Sequence, residues 1–184
     1  MKPVVHIFGA SGSGTTTLAK AVSQRNGFFL SDTDDYLWAP TDPPFTTKRG
    51  IPERVRLMRR DVDAAKTGVV ISGSLIGWGD PLIPCFTLAV RLHVPREIRL
   101  KRLRDRESAR FGDRILPGGD MFETHRAFLE WAAAYDDNTV IRCQKNHDAW
   151  QKTLPCPVLG LDGTLPVDTL VDAVLSELNK GAVV

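Results

Sequence analysis

Apolar runs alternate with helical patterns along this chain. Five short runs rich in β-branched and other apolar residues predict β-strands: residues 4–8, 28–31, 68–72, 87–94 and 157–161. Helical patterns follow most of these strands, and the last such stretch covers residues 166–178. Strands that alternate with helices indicate an α/β fold with a parallel sheet.

The composition fits a single globular domain over residues 1–184. The hydrophobic content is 42%, and the formal charge of +2 implies no bulk attraction to nucleic acid or to a membrane. We expect no membrane span and no signal peptide, because no apolar run reaches the length of either. The three scattered cysteines are typical of a reducing compartment, so a cytoplasmic location is expected.

A glycine-rich turn joins the first predicted strand to the first predicted helix, which ends near Gly27. In this context the turn predicts a phosphate-binding loop, whose backbone N–H groups and helix N-terminus attract an anion. The hydroxyl of Thr16 stands where such a loop places its Mg²⁺ ligand. The predicted nucleotide-binding residues of this turn are Gly9, Ser11, Gly12, Ser13, Gly14, Thr15, Thr16 and Thr17.

Thr15 occupies the position where this loop pattern has a lysine. That lysine places a positive charge on the β- and γ-phosphates of the nucleotide, and a threonine offers only a hydroxyl. Either another cation supplies the charge, or the site binds nucleotide without efficient transfer.

Acidic residues follow the second predicted strand at positions 32, 34 and 35. Ligands of open α/β sheets bind at the carboxyl ends of the strands, so we expect Asp32 or Asp34 to face the site. Asp32 is a candidate for Mg²⁺ and substrate binding, and Asp34 for substrate binding and proton transfer. A helix N-cap is the structural alternative for either residue.

Three arginines share one face of the helix after Pro95, because Arg102, Arg106 and Arg110 are four residues apart. They indicate a polyphosphate clamp that could replace the missing lysine, whereas a solvated arginine-rich helix is the alternative. We expect a lid over residues 106–124 and an acceptor-binding excursion over residues 33–66. Further candidates for contact with the acceptor are Arg54, Gly73 and Ser74.

Several motifs resemble the adenylate kinase/shikimate kinase group of P-loop small-molecule kinases. They are Gly-Ala-Ser-Gly-Ser-Gly-Thr-Thr-Thr-Leu-Ala at 9–19, Asp-Thr-Asp-Asp at 32–35, Val-Ile-Ser-Gly-Ser at 70–74, His-Val-Pro-Arg-Glu-Ile-Arg-Leu-Lys-Arg-Leu at 93–103 and Leu-Asp-Gly-Thr at 161–164. The resemblance implies a three-layer α/β/α fold with a five-stranded parallel sheet ordered 2-3-1-4-5 and a helical lid. It also implies ATP and Mg²⁺ as cofactors, with Asp162 and Gly163 in the loop that contacts adenine.

The sequence therefore predicts an ATP-dependent phosphotransferase that acts on a small acceptor, with a nucleotide or nucleoside favoured. The first alternative is a catalytically weak nucleotide-binding protein, because Thr15 replaces the lysine. The second is a dinucleotide oxidoreductase, because Gly9, Gly12 and Gly14 also resemble a dinucleotide-binding turn. The chain has no Tyr-x-x-x-Lys pair for hydride chemistry, which disfavours the oxidoreductase.

Overall fold

A five-stranded sheet forms the centre of the molecule in the computed structural model, which describes residues 2–181. The strands are β1 (Val4–Gly9), β2 (Phe29–Asp32), β3 (Val69–Ser72), β4 (Leu88–His93) and β5 (Val158–Asp162). Every neighbouring pair is parallel, and the order is β2-β3-β1-β4-β5. The predicted fold class and strand order are confirmed.

Seven α-helices connect and flank the strands in the part of the chain that the structure describes. They are α1 (Thr15–Asn26), α2 (Thr33–Leu37), α3 (Ile51–Ala64), α4 (Arg96–Phe111), α5 (Phe122–Ala133), α6 (Gln144–Gln151) and α7 (Val167–Gly181), with two 3-10 helices at Asp80–Cys85 and Gly112–Ile115. Helix α1 ends at Gly27, which adopts a left-handed conformation with φ 64° and caps the helix.

Two hydrophobic clusters lie on opposite faces of the sheet and define the three layers. One joins the sheet to α1 and α7 through Ile7, Leu18 and Val174, among others. The other packs Met58 of α3 and Leu82 of the first 3-10 helix against the opposite face. Burial of an aliphatic side chain of this size contributes about 1.5–3 kcal/mol, so these clusters fix the sheet on which the site is built.

The carboxyl ends of three adjacent strands meet at one edge of the sheet. Gly9 ends β1, and Asp32 at the end of β2 pairs in register with Ser72 at the end of β3. The side chains of Asp32 and Ser72 share the α1 side of the sheet with Ile7, because successive side chains alternate between the faces. The topology thus brings the glycine-rich turn and the acidic segment together. Among the described residues, no helix is long and apolar enough to cross a membrane.

Candidate active site

The glycine-rich turn leaves the end of β1 and enters α1 through a tight backbone loop. Gly12 and Gly14 have φ values of 82° and 93°, which L-residues rarely adopt. The turn is closed by the Ser13 N–H, which donates to the Ala10 carbonyl at 3.1 Å. No side chain caps α1 at Gly14, so the N–H groups of the first turn are available to an anion.

A cavity of about 690 Å³ opens in front of this turn. Its walls come from the turn, the segment after β2, the excursion and α4. The lining residues are Gly12, Gly14, Thr15, Thr16, Thr17, Lys20, Leu30, Asp32, Asp34, Asp35, Phe45, Arg102, Leu103, Arg106 and Arg110. The structure thus brings together most of the residues that the sequence pointed to.

Asp32 both caps a helix and contacts the phosphate loop. Its Oδ1 accepts a hydrogen bond from the Asp34 N–H at 3.0 Å, which makes it the N-cap of α2. Its Oδ2 accepts a hydrogen bond from the Thr16 hydroxyl at 2.8 Å. The structure thus shows Asp32 as a helix cap that also contacts the phosphate loop, and its role as a site ligand stays a prediction.

The oxygens around Thr16 fit a magnesium ion. Mg²⁺ prefers hydroxyl, carboxylate and phosphate oxygens, and Thr16 and Asp32 offer two of these. The Ser72 hydroxyl adds a third oxygen nearby, which is buried and has no hydrogen-bond partner among residues 2–181. The described residues contain no cluster of three or more His, Cys, Asp or Glu that could hold a metal alone, so Mg²⁺ here requires nucleotide phosphates as further ligands.

Asp34 is a carboxylate with an altered proton affinity. The protein that surrounds it in the cleft raises its pKa by desolvation, and the negative charge of Asp32 raises the pKa further. The positive charges of Arg142 and Arg106 oppose this shift. A raised pKa makes Asp34 a stronger base than an ordinary aspartate, so the group is suited to accept a proton.

The three arginines of α4 line the cavity but differ in their partners. Both terminal nitrogens of Arg102 donate to the Gly163 carbonyl at 3.1 Å. Arg106 donates to the carboxylate of Glu107 at 2.8 Å. The guanidinium of Arg110 lies 4.8 Å from the ring centroid of Phe45, in cation–π contact.

The loop around Gly163 lies beside the phosphate loop; its predicted contact with adenine stays a prediction. Its N–H donates to the His93 carbonyl at 2.9 Å, and a Cβ added to Gly163 would lie 2.9 Å from the Ser13 carbonyl oxygen. Asp162 accepts hydrogen bonds from the N–H and hydroxyl of Thr164, which lower its pKa. This loop is therefore placed to form one wall of a nucleotide site.

Two contacts join the segment 33–66 to the segment 106–124. Arg114 pairs with Asp42 at 3.2 Å. Close by, Phe45 packs under Arg110 and also lies edge-on to Trp38, with 5.8 Å between the ring centroids. The segments 33–66 and 106–124 are thus in contact with each other.

Three predicted acceptor-binding residues do not line the cavity. Arg54 donates to the Arg49 carbonyl at 2.7 Å, and Gly73 accepts from the buried ring of His6 at 2.9 Å. Ser74 is buried and hydrogen-bonded to His147 at 3.1 Å. These roles stay predictions, and the observed contacts of all three residues are structural.

Arg142 contacts the phosphate loop, although the sequence did not indicate it and it is not one of the residues that line the cavity. It precedes α6, in a segment without a helical or strand pattern, and its Nη1 lies 3.4 Å from the Ser11 hydroxyl. Its guanidinium carbon lies 5.2 Å from the ring centroid of Trp131. Burial lowers the pKa of Arg142, while the nearby charges of Asp34 and Asp32 raise it.

The sequence of this chain has a curated relative over almost its full length. The uncharacterized protein YqaC of Bacillus subtilis (strain 168) is 43% identical over 181 residues, which cover 98% of this chain and 99% of YqaC. The chain belongs to the YqaC family. No protein-family model matches this YqaC-family chain.

Solved structures with the same fold as the YqaC-family chain are small-molecule kinases. Shikimate kinase from Bacteroides thetaiotaomicron has a TM-score of 0.58 and 15% identity, covering 96% of this chain and 98% of its own. Deoxyadenosine kinase from M. mycoides has a TM-score of 0.55 and 13% identity, covering 96% and 99%. A sugar kinase from Janibacter sp. HTCC2649 has a TM-score of 0.53 and 16% identity, covering 97% and 95%. At these identities the similarity shows a shared P-loop kinase fold, which confirms that part of the resemblance.

Proposed function

We propose that the chain is an ATP-dependent phosphotransferase that moves the γ-phosphoryl group to a small acceptor. The observation that carries the proposal is the convergence of Thr16, Asp32 and Asp34 in one cavity with the N-terminus of α1. A site that only bound phosphate would need the loop but no carboxylate of raised pKa. The nucleotide would bind with its phosphates on the loop and its base near Asp162 and Gly163.

The reaction would be an in-line transfer. A bond forms between the acceptor oxygen and the γ-phosphorus, the bond from that phosphorus to the β,γ-bridging oxygen breaks, and ADP leaves. Asp34 accepts the proton of the acceptor hydroxyl. Thr16 and Asp32 would hold Mg²⁺, which neutralises charge on the phosphates when bound.

Asp34 favours an acceptor that carries a hydroxyl group. A hydroxyl loses a proton as it attacks, and a base of raised pKa can take that proton. A phosphate acceptor is already ionised and needs cations instead. The neighbours named as shikimate, sugar and deoxyadenosine kinases act on compounds with hydroxyl groups. Within the predicted acceptors, a nucleoside therefore suits this site better than a nucleoside monophosphate.

The excursion at 33–66 and the lid at 106–124 would enclose the reacting groups. Their contacts through Asp42–Arg114 and Phe45–Arg110 support this role, because they join the two segments and Phe45 and Arg110 both line the cavity. Exclusion of water protects a phosphoryl group from hydrolysis during transfer. The guanidiniums of Arg102, Arg106 and Arg110 would bind phosphate oxygens on the same wall.

The decisive test is ADP formation from Mg-ATP against a panel of nucleosides, nucleoside monophosphates and small hydroxy acids, with the wild type beside Thr15→Lys. We expect turnover in the wild type that depends on one acceptor class. Binding of ATP by the wild type with no turnover on any acceptor, together with a gain in Thr15→Lys, would instead establish a nucleotide-binding protein that has lost transfer.

A further inference from the structure

We infer that Arg142 supplies, from across the cleft, the positive charge that the phosphate loop lacks at Thr15. The inference rests on the proposed function and names the cation of that site. The sequence assigned this role to the arginines of α4; the structure favours a residue from outside that helix.

The position of Arg142 is the first argument. Its Nη1 lies 3.4 Å from the Ser11 hydroxyl, within the phosphate loop. Its charge also acts on both Asp34 and Asp32. The guanidinium is therefore near the loop, the proposed base and the proposed metal ligand at once. The transferring phosphoryl group would lie between these three in the proposed reaction.

The unused hydrogen-bond donors of Arg142 are the second argument. A guanidinium has five N–H donors, and the described residues offer this one a single acceptor, the Ser11 hydroxyl. Within the described residues no carboxylate lies within ion-pairing distance of it, whereas the buried Arg91 and Arg99 pair with Asp148 and Asp136. A half-buried cation without such a partner favours the binding of an anion.

Trp131 holds the guanidinium without consuming these donors. The guanidinium carbon stands over the indole ring at 5.2 Å, and a cation–π contact uses the face of the group and not its N–H edges. The edges stay available for two phosphate oxygens. A planar fork of donors suits a phosphate better than a threonine hydroxyl does.

The three arginines of α4, which share the cavity wall with the exposed Lys20, are already engaged. Arg102 is bonded to the Gly163 carbonyl, and Arg106 to Glu107. Arg110 is packed between the rings of Phe45 and Phe111, at 4.8 and 5.1 Å from their centroids. Each can still contact a phosphate, but each must share its charge or change its packing to do so.

The test is a binding experiment that needs no turnover. The affinities of a non-hydrolysable Mg-ATP analogue and of Mg-ADP are measured by calorimetry for the wild type, Arg142→Gln and Arg104→Gln. We expect Arg142→Gln to weaken the analogue about 10-fold or more, as for the loss of a charged hydrogen bond, and ADP much less. Arg104, an exposed arginine of α4 outside the cavity wall, is the matched control and should change neither affinity.

A second substitution separates charge from geometry. Thr15→Lys in the Arg142→Gln background should restore most of the lost preference for the analogue over ADP, and it should add little to the wild type. Such non-additivity is expected of two groups that serve one phosphate. Equal weakening of the analogue and ADP by Arg142→Gln, or simple additivity with Thr15→Lys, would overturn the inference.

Folding is checked by thermal melts of every variant. If Arg142→Gln does not fold, Arg142→Lys is decisive, because it keeps the charge: the preference for the analogue must persist at reduced strength, and its complete loss overturns the inference. If the acceptor panel shows no turnover, but Arg142→Gln still weakens binding of the analogue much more than binding of ADP, the proposed function fails and the assignment of Arg142 stands.

Discussion

At the scale of single residues, Thr16 and Asp32 show how one contact organises the site. The hydrogen bond between them ties the first turn of α1 to the start of α2. The same carboxylate caps α2 and so fixes the backbone at Asp34. Loss of an N-cap costs about 1 kcal/mol, so a substitution of Asp32 would affect the position of the base as well as the metal site.

Asp34→Asn should abolish the base while leaving nucleotide binding intact. We expect kcat to fall about 10²–10⁴-fold, the usual contribution of a general base. The wild-type rate should rise with pH as Asp34 loses its proton, and this rise should lie above the ordinary aspartate pKa of 3.8, because desolvation and Asp32 raise the pKa.

The pH–rate profile of both proteins tests this assignment. The asparagine variant should lack the acid limb that the wild type shows. Asp35→Asn is the matched control: its carboxyl also lines the cavity and its pKa is also raised, but the proposed mechanism gives it no proton to accept. If the acid limb of the pH–rate profile persists in Asp34→Asn and is absent from Asp35→Asn, the base is Asp35 and not Asp34.

Local patterns predicted the nucleotide half of the site and missed Arg142. The residues of the phosphate loop are contiguous, and the glycines among them indicate from the sequence alone that the backbone forms a tight turn there. Arg142 contacts Ser11 across 131 residues, and only the closure of the fold brings them together. No residue next to Arg142 marks it as different from a solvated arginine. The same limit explains Ser74 and Arg54, whose partners are also set by packing.

At the scale of elements, the junction between α4 and the phosphate loop is the tightest part of the site. A Cβ added to Gly12 would lie 2.6 Å from the Arg99 carbonyl oxygen in the first turns of α4. Arg99 is itself buried and paired with Asp136. The loop conformation and the position of α4 are thus coupled, which fixes where the arginines of that helix reach the cavity.

Gly12→Ala and Gly27→Ala form a matched pair that isolates this coupling. Both glycines have positive φ, so alanine costs about 1–2 kcal/mol of unfolding free energy at either position. Gly27 has nothing within 4 Å of the added Cβ, whereas Gly12 meets backbone. We expect Gly12→Ala to cost about 1–3 kcal/mol more, as for overpacking, and to weaken ATP binding.

Urea unfolding and ATP titration of the two variants provide the measurement. Equal losses of unfolding free energy, with ATP affinity unchanged in both, would show that α4 yields to the added methyl group and is not coupled to the loop.

The periodicity of the sequence predicted the strands and the long helices but not α6. Strands β1, β3 and β4 are buried on both faces over almost their whole length and consist mostly of apolar residues, so their pattern is strong. Helix α6 has eight residues, of which only His147 is buried, so it offers almost no apolar stripe. Helix α4 begins at Arg96, directly after its N-cap Pro95, as the sequence predicted for the helix after that proline.

At the scale of the whole molecule, two buried histidines make stability depend on pH. Burial lowers the pKa of His6 to about 4 and that of His147 to about 3, from an ordinary value of 6.5. The folded state keeps both rings neutral, whereas the unfolded chain binds protons below pH 6.5. The unfolding free energy should therefore decrease as the pH falls from about 6.5 towards 4.

Urea unfolding at pH 7, 6 and 5 measures this decrease. Each histidine contributes up to about 1.4 kcal/mol per pH unit in that window. His6→Gln retains a donor for the Gly73 carbonyl but cannot titrate, so its unfolding free energy should change less between pH 7 and 5 than that of the wild type. If the unfolding free energy changes equally with pH in the wild type and in His6→Gln, His6 has the same pKa in the folded and the unfolded state.

The two contacts between the segments 33–66 and 106–124 have a kinetic consequence. The Asp42–Arg114 pair is solvent-exposed and contributes at most about 1 kcal/mol, and a cation–π contact such as Phe45–Arg110 adds about 0.5–1 kcal/mol. If these segments enclose the cleft as proposed, we expect contacts this weak to let them separate often. Because salt screens an exposed ion pair, ionic strength becomes a control on the open fraction of the cleft. Ligand exchange should therefore quicken in concentrated salt, even where the chemistry itself does not change.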